Sequence, residues 1–338
     1  MLIIKIKMVL KMKKILLLMA FCLSASLNAG AQDANLRFRN GKFKILQLTD
    51  IHWQKSEQYR AEDDSTVALV RYLIKEEKPD LVMITGDMIL SGGKSEWIKF
   101  TRPMVEAGTP FAVVFGNHDA EAGISEKEAM KILRGIKYNI TYDASEKVSG
   151  EGNCIFDIKS SDGRSNKWIL YLFNSHSEVA PRDSSFGYYD WVHFDQIKWY
   201  REQSAARLAR NGHLLPALAF LHIPFPEYET LKGKSVKIGN DDEAVCCPTM
   251  NSGLFVSFLE AGDVIGVFAG HDHNNDYLLD VQGRICLAYG RKTGYVPAYK
   301  EVLPRGGRVI VLDENSRSFH TYIIDMNGRH FPYDFKVK

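Results

Sequence analysis

Six short apolar runs, each stopped by a polar or glycine-containing turn, constrain this chain most. They are Lys44–Leu48, Leu81–Ile84, Phe111–Phe115, Trp168–Phe173, Ala217–Leu221 and Val264–Ala269. Runs this short and mostly apolar read as buried strands, since a half-exposed strand alternates apolar with polar residues. Amphipathic stretches lie between them. Ser65–Glu77 sets Val67, Val70 and Ile74 on one side and stops before Pro79; Glu126–Leu133 behaves similarly, and Asp195–Asn211 closes at Gly212. After Gly270 strands dominate: Tyr277–Val281, Arg284–Ala288, Arg308–Leu312 and Phe319–Ile324, with Gln282-Gly283 as a hairpin-like turn. Strand–helix alternation followed by a strand-rich tail is the pattern of a layered α/β architecture. No internal repeat or low-complexity linker interrupts it, so the reading is one domain.

The chain has 338 residues, 45% apolar and 25% charged, which argues against disorder, a collagenous repeat and a disulfide-packed miniprotein. Its first 31 residues carry five lysines and no acid, leaving 38 basic against 41 acidic residues in the remainder. That balance argues against a nucleic-acid-binding module working through a general basic field. No run of about 20 apolar residues is present, so no transmembrane segment is expected in the mature chain.

The N-terminus reads as an address. Lys13-Lys14, the apolar run Ile15–Leu23 and the small-residue exit Ala29-Gly30-Ala31 are the three parts of a secretory signal peptide, with cleavage expected after Ala31. Residues 1–31 would then be removed and residues 32–338 exported, to the periplasm or the medium. Met12 is an alternative start, and a buried N-terminal strand is the plainer alternative for the run itself. Phe21 stands before Cys22 where lipid modification needs a small residue. Of the later cysteines, the adjacent Cys246-Cys247 pair does not easily bridge to itself, so a disulfide would run to Cys154 or Cys286. Whether one forms stays open. No C-x-x-C spacing supports a zinc ribbon.

The chemistry gathers immediately after the strands. Thr49-Asp50-Ile51-His52, Gly86-Asp87, Gly116-Asn117-His118-Asp119, His222 and Gly270-His271-Asp272-His273 each come directly after an apolar run, and they hold half of the ten histidines. Singly, each is most simply a turn or a cap. Five unrelated turns have no structural reason to share imidazole and carboxylate, and ligands of open α/β sheets collect at the carboxyl ends of strands.

This ordered set resembles the calcineurin-like metallophosphoesterase superfamily, over about Phe43 to Ile324. Lys44–His52, Gly152-Asn153, Phe268–Tyr277 and Gly290–Tyr295 are similar to its purple-acid-phosphatase-like branch, which includes the dosage-dependent cell-cycle regulator phosphatases. The resemblance implies a four-layer α/β/β/α sandwich of two mixed β-sheets. It also implies two metal ions, one held by Asp50, His52, Asp87 and His273, the other by Asp87, Asn117, His222 and His271, with Asp87 shared. Mixed imidazole and carboxylate ligation suits Fe, Mn or Zn, as a divalent or mixed-valence pair, better than Ca or Mg. Hydroxide generated at the metal pair would attack phosphorus in line, and His118 would protonate the leaving oxygen. Coloured purple acid phosphatases carry Tyr three residues after the bridging Asp; here that position is Leu90, so neither a tyrosinate ligand nor a purple colour is expected.

The function implied is phosphomonoester hydrolysis on a phosphorylated small molecule or macromolecule. The alternatives are a phosphodiesterase acting on a nucleotide or lipid headgroup, and a catalytically silent metal-dependent binding protein. Among flanking residues, Asp119 is a candidate orienting partner for His118, or a plain turn carboxylate. Arg291, with Lys292, is a candidate for substrate phosphate, the plainer reading being a solvated loop. Asn174 and His176 are candidates for the rim of the site, with loop packing equally open. Asp241-Asp242-Glu243 reads as a solvated acidic turn.

Overall fold

A computed structural model describes residues 35–179 and 185–338; the signal segment expected at 1–31 lies outside them. The first three apolar runs become parallel neighbours: β1 (Lys42–Leu48), β2 (Leu81–Thr85) and β3 (Phe111–Val114), linked by α1 (Arg60–Glu77) and α2 (Lys94–Ala107). After α3 (Glu126–Arg134), β4 (Cys154–Lys159) pairs antiparallel to β5 (Asn166–Leu172). The chain then passes through α4 (Phe194–Asn211), β6 (Ala217–Phe220), α5 (Glu227–Thr230), β7 (Val236–Ile238), α6 (Leu254–Ala261) and β8 (Val264–Ala269). The strand-rich tail supplies β9 (Leu278–Val281), β10 (Ile285–Tyr289), β11 (Gly306–Asp313), β12 (Ser318–Asp325) and β13 (Gly328–Lys336). Gln282 and Gly283 both take positive φ, 57° and 70°, in the β9–β10 turn, as hairpin turns require.

Two mixed sheets result, ordered β13-β12-β11-β1-β2-β3 and β4-β5-β6-β8-β10-β9-β7. Side-chain alternation sends each strand's two faces into different cores. Phe43, Ile45, Met83, Val114 and Ile310 of the first sheet meet Leu170, Leu218, Phe268 and Cys286 of the second. Leu46, Leu48, Val82 and Ile84 face the other way, onto Leu73, Trp97, Phe100 and Met130 of the helices. On the far side Tyr171, Ala219, Val267 and Leu287 pack on Trp199, Tyr200 and Phe258. Helix, sheet, sheet and helix therefore stack as four layers, the expected sandwich, and burial on both faces is why the parallel strands read as unbroken apolar runs.

Cys154, Cys246, Cys247 and Cys286 are all free thiols, with Cys154 and Cys286 buried between the sheets, so no disulfide forms among the described residues. Among the same residues no helix is long and apolar enough to cross a membrane. Strands β1, β2 and β3 are parallel to one another, as are β5, β6, β8 and β10. Their C-terminal ends deliver the five polar turns to one edge of the sandwich.

Candidate metal centre

The backbone at this edge is held where side chains rarely go. Asp50, His52, Asp87 and His271 have φ of 51°, 54°, 51° and 82°. Such conformations cost about 1–3 kcal/mol each and persist only where neighbours fix them. Here Asp50 N donates to Gly86 O (3.1 Å), His52 N to Asp87 O (2.9 Å) and His271 N to Asp50 Oδ1 (3.2 Å). Two glycines permit the crowding: a Cβ on Gly86 would overlap the His222 ring, and one on Gly116 would overlap Asp87.

Two groups of like composition form. One ligand atom each from Asp50, His52 and His273 lie within 4.8 Å of one another, and the same holds for Asp87, His222 and His271. Asp87 touches both groups, its Oδ2 3.5 Å from His52 Nε2 and 3.2 Å from His222 Nε2. Asn117 Oδ1 is 3.2 Å from His222 Nε2. His118 N donates to Asp87 Oδ1 at 2.9 Å, and its ring stands 5.8 Å from that of His52 at the solvent side. The seven expected ligands and His118 thus converge.

Partners outside the groups orient the rings. His222 Nδ1 donates to Thr85 O (2.8 Å) and His273 Nδ1 meets Glu301 Oε1 (2.6 Å), so both present Nε2 inward. His52 Nδ1 and Nε2 and His271 Nε2 are buried without any hydrogen-bond partner. Buried nitrogens left this way are destabilising, and lone pairs beside a carboxylate and a second imidazole are what a transition-metal ion accepts. The residues fit a pair of such ions.

The electrostatics divide the rings. Burial, helped by the Lys292 charge, lowers His52 to about 4; burial and the His222 charge lower His271 to about 3. Both rings are therefore neutral at neutral pH. Burial pushes Asp50 up, but the hydrogen bond and charge of His273 outweigh it and hold the carboxyl well below the usual range. For Asp87 the opposing charges of His222 and His52 do the same. Burial opposes protonation of His222, yet Asp87 beside it raises the ring to about 10.

Other expected residues go elsewhere. Asp119 does not touch the His118 ring: its Oδ1 accepts from Met88 N and Ile89 N and its Oδ2 from Gly116 N, so it ties two loops together. The partner of His118 Nδ1 is Glu121 Oε2, at 2.8 Å. Arg291 is not free for phosphate, being buried with Nε and Nη2 on Asp276 and Nη1 on Pro304 O. Lys292 is buried too, its Nζ donating to Asp50 O at 3.2 Å. Asn174 is taken up by Glu126, Glu151 O and His176 N. His176 pairs with Gln196 and stacks on His193, away from both groups. The acidic turn is not simply solvated: Asp241 pairs with Lys232 and Lys237, and Glu243 accepts from Tyr299. Leu90 N pairs with Trp53 O.

Three residues that sequence reasoning misses, Glu121, Tyr299 and Glu301, support the centre. Tyr299 lies flat on His273, centroids 4.7 Å apart, and its hydroxyl accepts from His273 N. Burial pushes Glu301 up, but the His273 hydrogen bond with the Lys292 and Arg305 charges sets it at about 2. Glu121 lies in the turn after β3, three residues past His118, a spacing that could have marked it; Tyr299 and Glu301 lie about ten residues beyond β10 in a polar stretch that no pattern marks.

Comparison with known proteins identifies the family. The calcineurin-like phosphoesterase profile fits residues 43–275. A protein called probable inactive purple acid phosphatase 29 from Arabidopsis thaliana is 30% identical over 334 residues, covering 89% of this chain and 84% of its own. Phosphatase DCR2 of Saccharomyces cerevisiae is 31% identical over 280 residues, 74% of this chain and 48% of that protein. A crystal structure described as a dimetal phosphatase from Danio rerio shares the fold, with a TM-score of 0.59 at 11% identity, over 88% of this chain and 99% of that one. With two aspartate–histidine groups at the carboxyl edge of a four-layer sandwich, and a profile match across most of its length, this chain belongs to the calcineurin-like phosphoesterase family.

Proposed function

We propose that the chain is an exported dinuclear-metal phosphoester hydrolase acting on phosphomonoesters of a small molecule or a macromolecule. The observation that carries the reading is one carboxylate joining two like ligand groups: Asp87 Oδ2 lies 3.5 Å from His52 Nε2 and 3.2 Å from His222 Nε2. Asp50, His52, Asp87 and His273 would hold one ion, and Asp87, Asn117, His222 and His271 the other. Transition-metal ions bound there supply Lewis acidity toward phosphoryl oxygen and lower the pKa of water. The chain's own groups do the rest. Two carboxylates do not neutralise two divalent ions, and Asn117 adds a neutral oxygen, so the site keeps a positive excess for phosphate. Glu121 accepts from Nδ1 of His118, so the proton given to the departing oxygen is the second one, on Nε2 of the imidazolium form, which ends as the neutral Nδ1–H ring. Tyr299 against His273 and Tyr189 against His271 (centroids 4.6 Å) wall the flanks.

The name of the Arabidopsis relative favours a second reading, a metal-binding protein without turnover. His118 with its carboxylate partner supports turnover, because binding alone needs no proton donor. Assay of p-nitrophenyl phosphate beside bis-p-nitrophenyl phosphate, with Mn, Zn and Fe in turn, separates the readings. Faster monoester cleavage, lost together with the paired ions of this centre in Asp87→Asn, is expected. Faster diester cleavage would identify a phosphodiesterase, and two bound ions with neither substrate cleaved would identify a silent binder. An intense visible charge-transfer band in the iron-loaded protein would contradict the expected lack of a tyrosinate. The Lys13-Lys14, Ile15–Leu23 and Ala29-Gly30-Ala31 pattern supports export, checked by finding a mature N-terminus at Gln32 outside the cytoplasm.

A further inference from the structure

We propose that His176, Asp190 and His193 form a third divalent-cation site, of zinc type, on the loop that backs Asn117. One ligand atom from each lies within 4.8 Å of the other two. The imidazoles of His176 and His193 stack, with centroids 4.1 Å apart and planes 20° from parallel. His193 Nε2 stands 3.1 Å from both oxygens of Asp190. Two imidazoles and one carboxylate are the same set that each group at the main centre offers.

A chain of amides decides the tautomer of His176. Asn153 Nδ2 donates to the carbonyls of Ser149 (2.8 Å) and Gly150 (2.7 Å). Its Oδ1 therefore faces the other way and accepts from Asn174 N (3.0 Å) and Gln196 Nε2 (2.9 Å). Gln196 Nε2 also donates to Asn174 O (2.7 Å), which turns Gln196 Oε1 toward His193 N (2.7 Å) and His176 Nε2 (2.8 Å). An amide oxygen only accepts, so His176 carries its proton on Nε2 and keeps a lone pair on Nδ1. Metal-ligating histidines are held in this way, the far N–H given to an oxygen. Gln196 is fully buried, so the arrangement is rigid.

The three side chains are half-buried, which leaves one side open to solvent, as in a zinc site that keeps an open coordination position. His176 takes a left-handed φ of 60°, and Asp190 N donates to Ser177 O (3.0 Å), clasping the two segments that supply the ligands. Ser177 Oγ in turn donates to Asn117 O at 3.1 Å. An ion here would fix the loop beside Asn117 without sharing a ligand with either main group.

The test is a count of ions. The chelator-stripped full chain is dialysed to equilibrium against Zn2+, and metal per chain is measured by mass spectrometry. Three ions are expected for the wild type, and one fewer for His193→Ala and for Asp190→Asn. Asp190→Asn keeps the side-chain shape, so it reports on the ion where the alanine variant disturbs folding. In Asp87→Asn, which empties the main centre, one ion should remain and should vanish when His193→Ala is added. That arm separates failure of this proposal from failure of the dinuclear reading. A count unchanged by both His193→Ala and Asp190→Asn overturns the third site, whatever the wild-type total.

Discussion

His118 and Glu301 show how single side chains serve the centre without belonging to either ligand group. The amide of His118 is fixed on Asp87 and its ring on Glu121, so the site positions the residue while its ring joins neither ligand group. His118→Ala should therefore lower turnover by about 10²–10⁴-fold, the usual worth of a general acid, while metal content measured on the same sample stays at the wild-type value. Loss of metal in that variant would mean that the ring supports the ligands instead. Glu301 acts from behind. It accepts from His273 Nδ1 and is itself paired with Lys292 and Arg305, which turns Nε2 of His273 toward Asp50. Glu301→Gln should weaken metal binding about 10–100-fold, the usual effect of losing such an outer partner, as read by competition with a chromophoric chelator. Unchanged affinity would leave Glu301 as a plain ion-pair partner.

Among elements, α1 is pinned by the residue at its end. Glu77 accepts from Lys44 Nζ of β1 (2.9 Å), Tyr322 OH of β12 (2.6 Å) and Arg329 Nε of β13 (3.1 Å). Burial pushes its carboxyl up, but the bonds from Tyr322 and Lys44 and the nearby charges outweigh this, so it lies below the ordinary 4.5. A depressed carboxylate contributes stability that is present above the unfolded value and lost as pH falls through the folded one. Glu77→Gln should thus cost about 1–3 kcal/mol in urea unfolding at neutral pH, and the gap to wild type should narrow once pH drops under 4.5. A gap independent of pH would show that shape, not charge, matters there. The same scale shows what sequence could and could not reveal. Buried parallel strands announce themselves, and Val264–Ala269 is observed with the expected bounds. Helix α2 does not, because Pro103 sits inside it, although Trp97, Phe100 and Met104 line its buried side. A proline past the first turn removes a backbone donor and reads as a helix breaker, yet the helix runs on to Ala107. Edge strand β13 is partly hidden: Phe331, Tyr333 and Phe335 alternate with polar neighbours, but Pro332 lies within the run and the strand pairs with β12 across a register shift, and proline inside a run speaks against a strand anywhere but at an edge.

At the scale of the whole molecule, the ligand set was legible because each member directly follows an apolar strand, and the parallel strands bring those ends to one edge. The supporting set was not, since Tyr299, Glu301 and the buried Arg291 come from the polar stretch after β10, whose path is decided only by packing against β11 and the loop after β1. Arg291 illustrates the difference: in sequence it is a free cation near glycine, and in the fold it is consumed by Asp276. Convergence on one edge also links the centre to the stability of the sandwich. Asp50 and Asp87 are buried, and three ring nitrogens of His52 and His271 have no hydrogen-bond partner in the protein. Ions that bind only the folded chain add stability by mass action, about 2.7 kcal/mol per site at a hundred-fold excess over Kd. Because the ligands come from loops of both sheets, that gain resists separation of the two sheets and not merely local fraying. Stripping the ions with a chelator should therefore lower Tm in one cooperative transition, and adding back Zn2+ or Mn2+ should restore it. Asp87→Asn should melt at a temperature that chelator no longer changes by more than the outlying His176 site accounts for. If the stripped wild type melts unchanged, with metal loss verified on the same sample, then the centre is not coupled to the fold and the buried nitrogens must be satisfied in some other way.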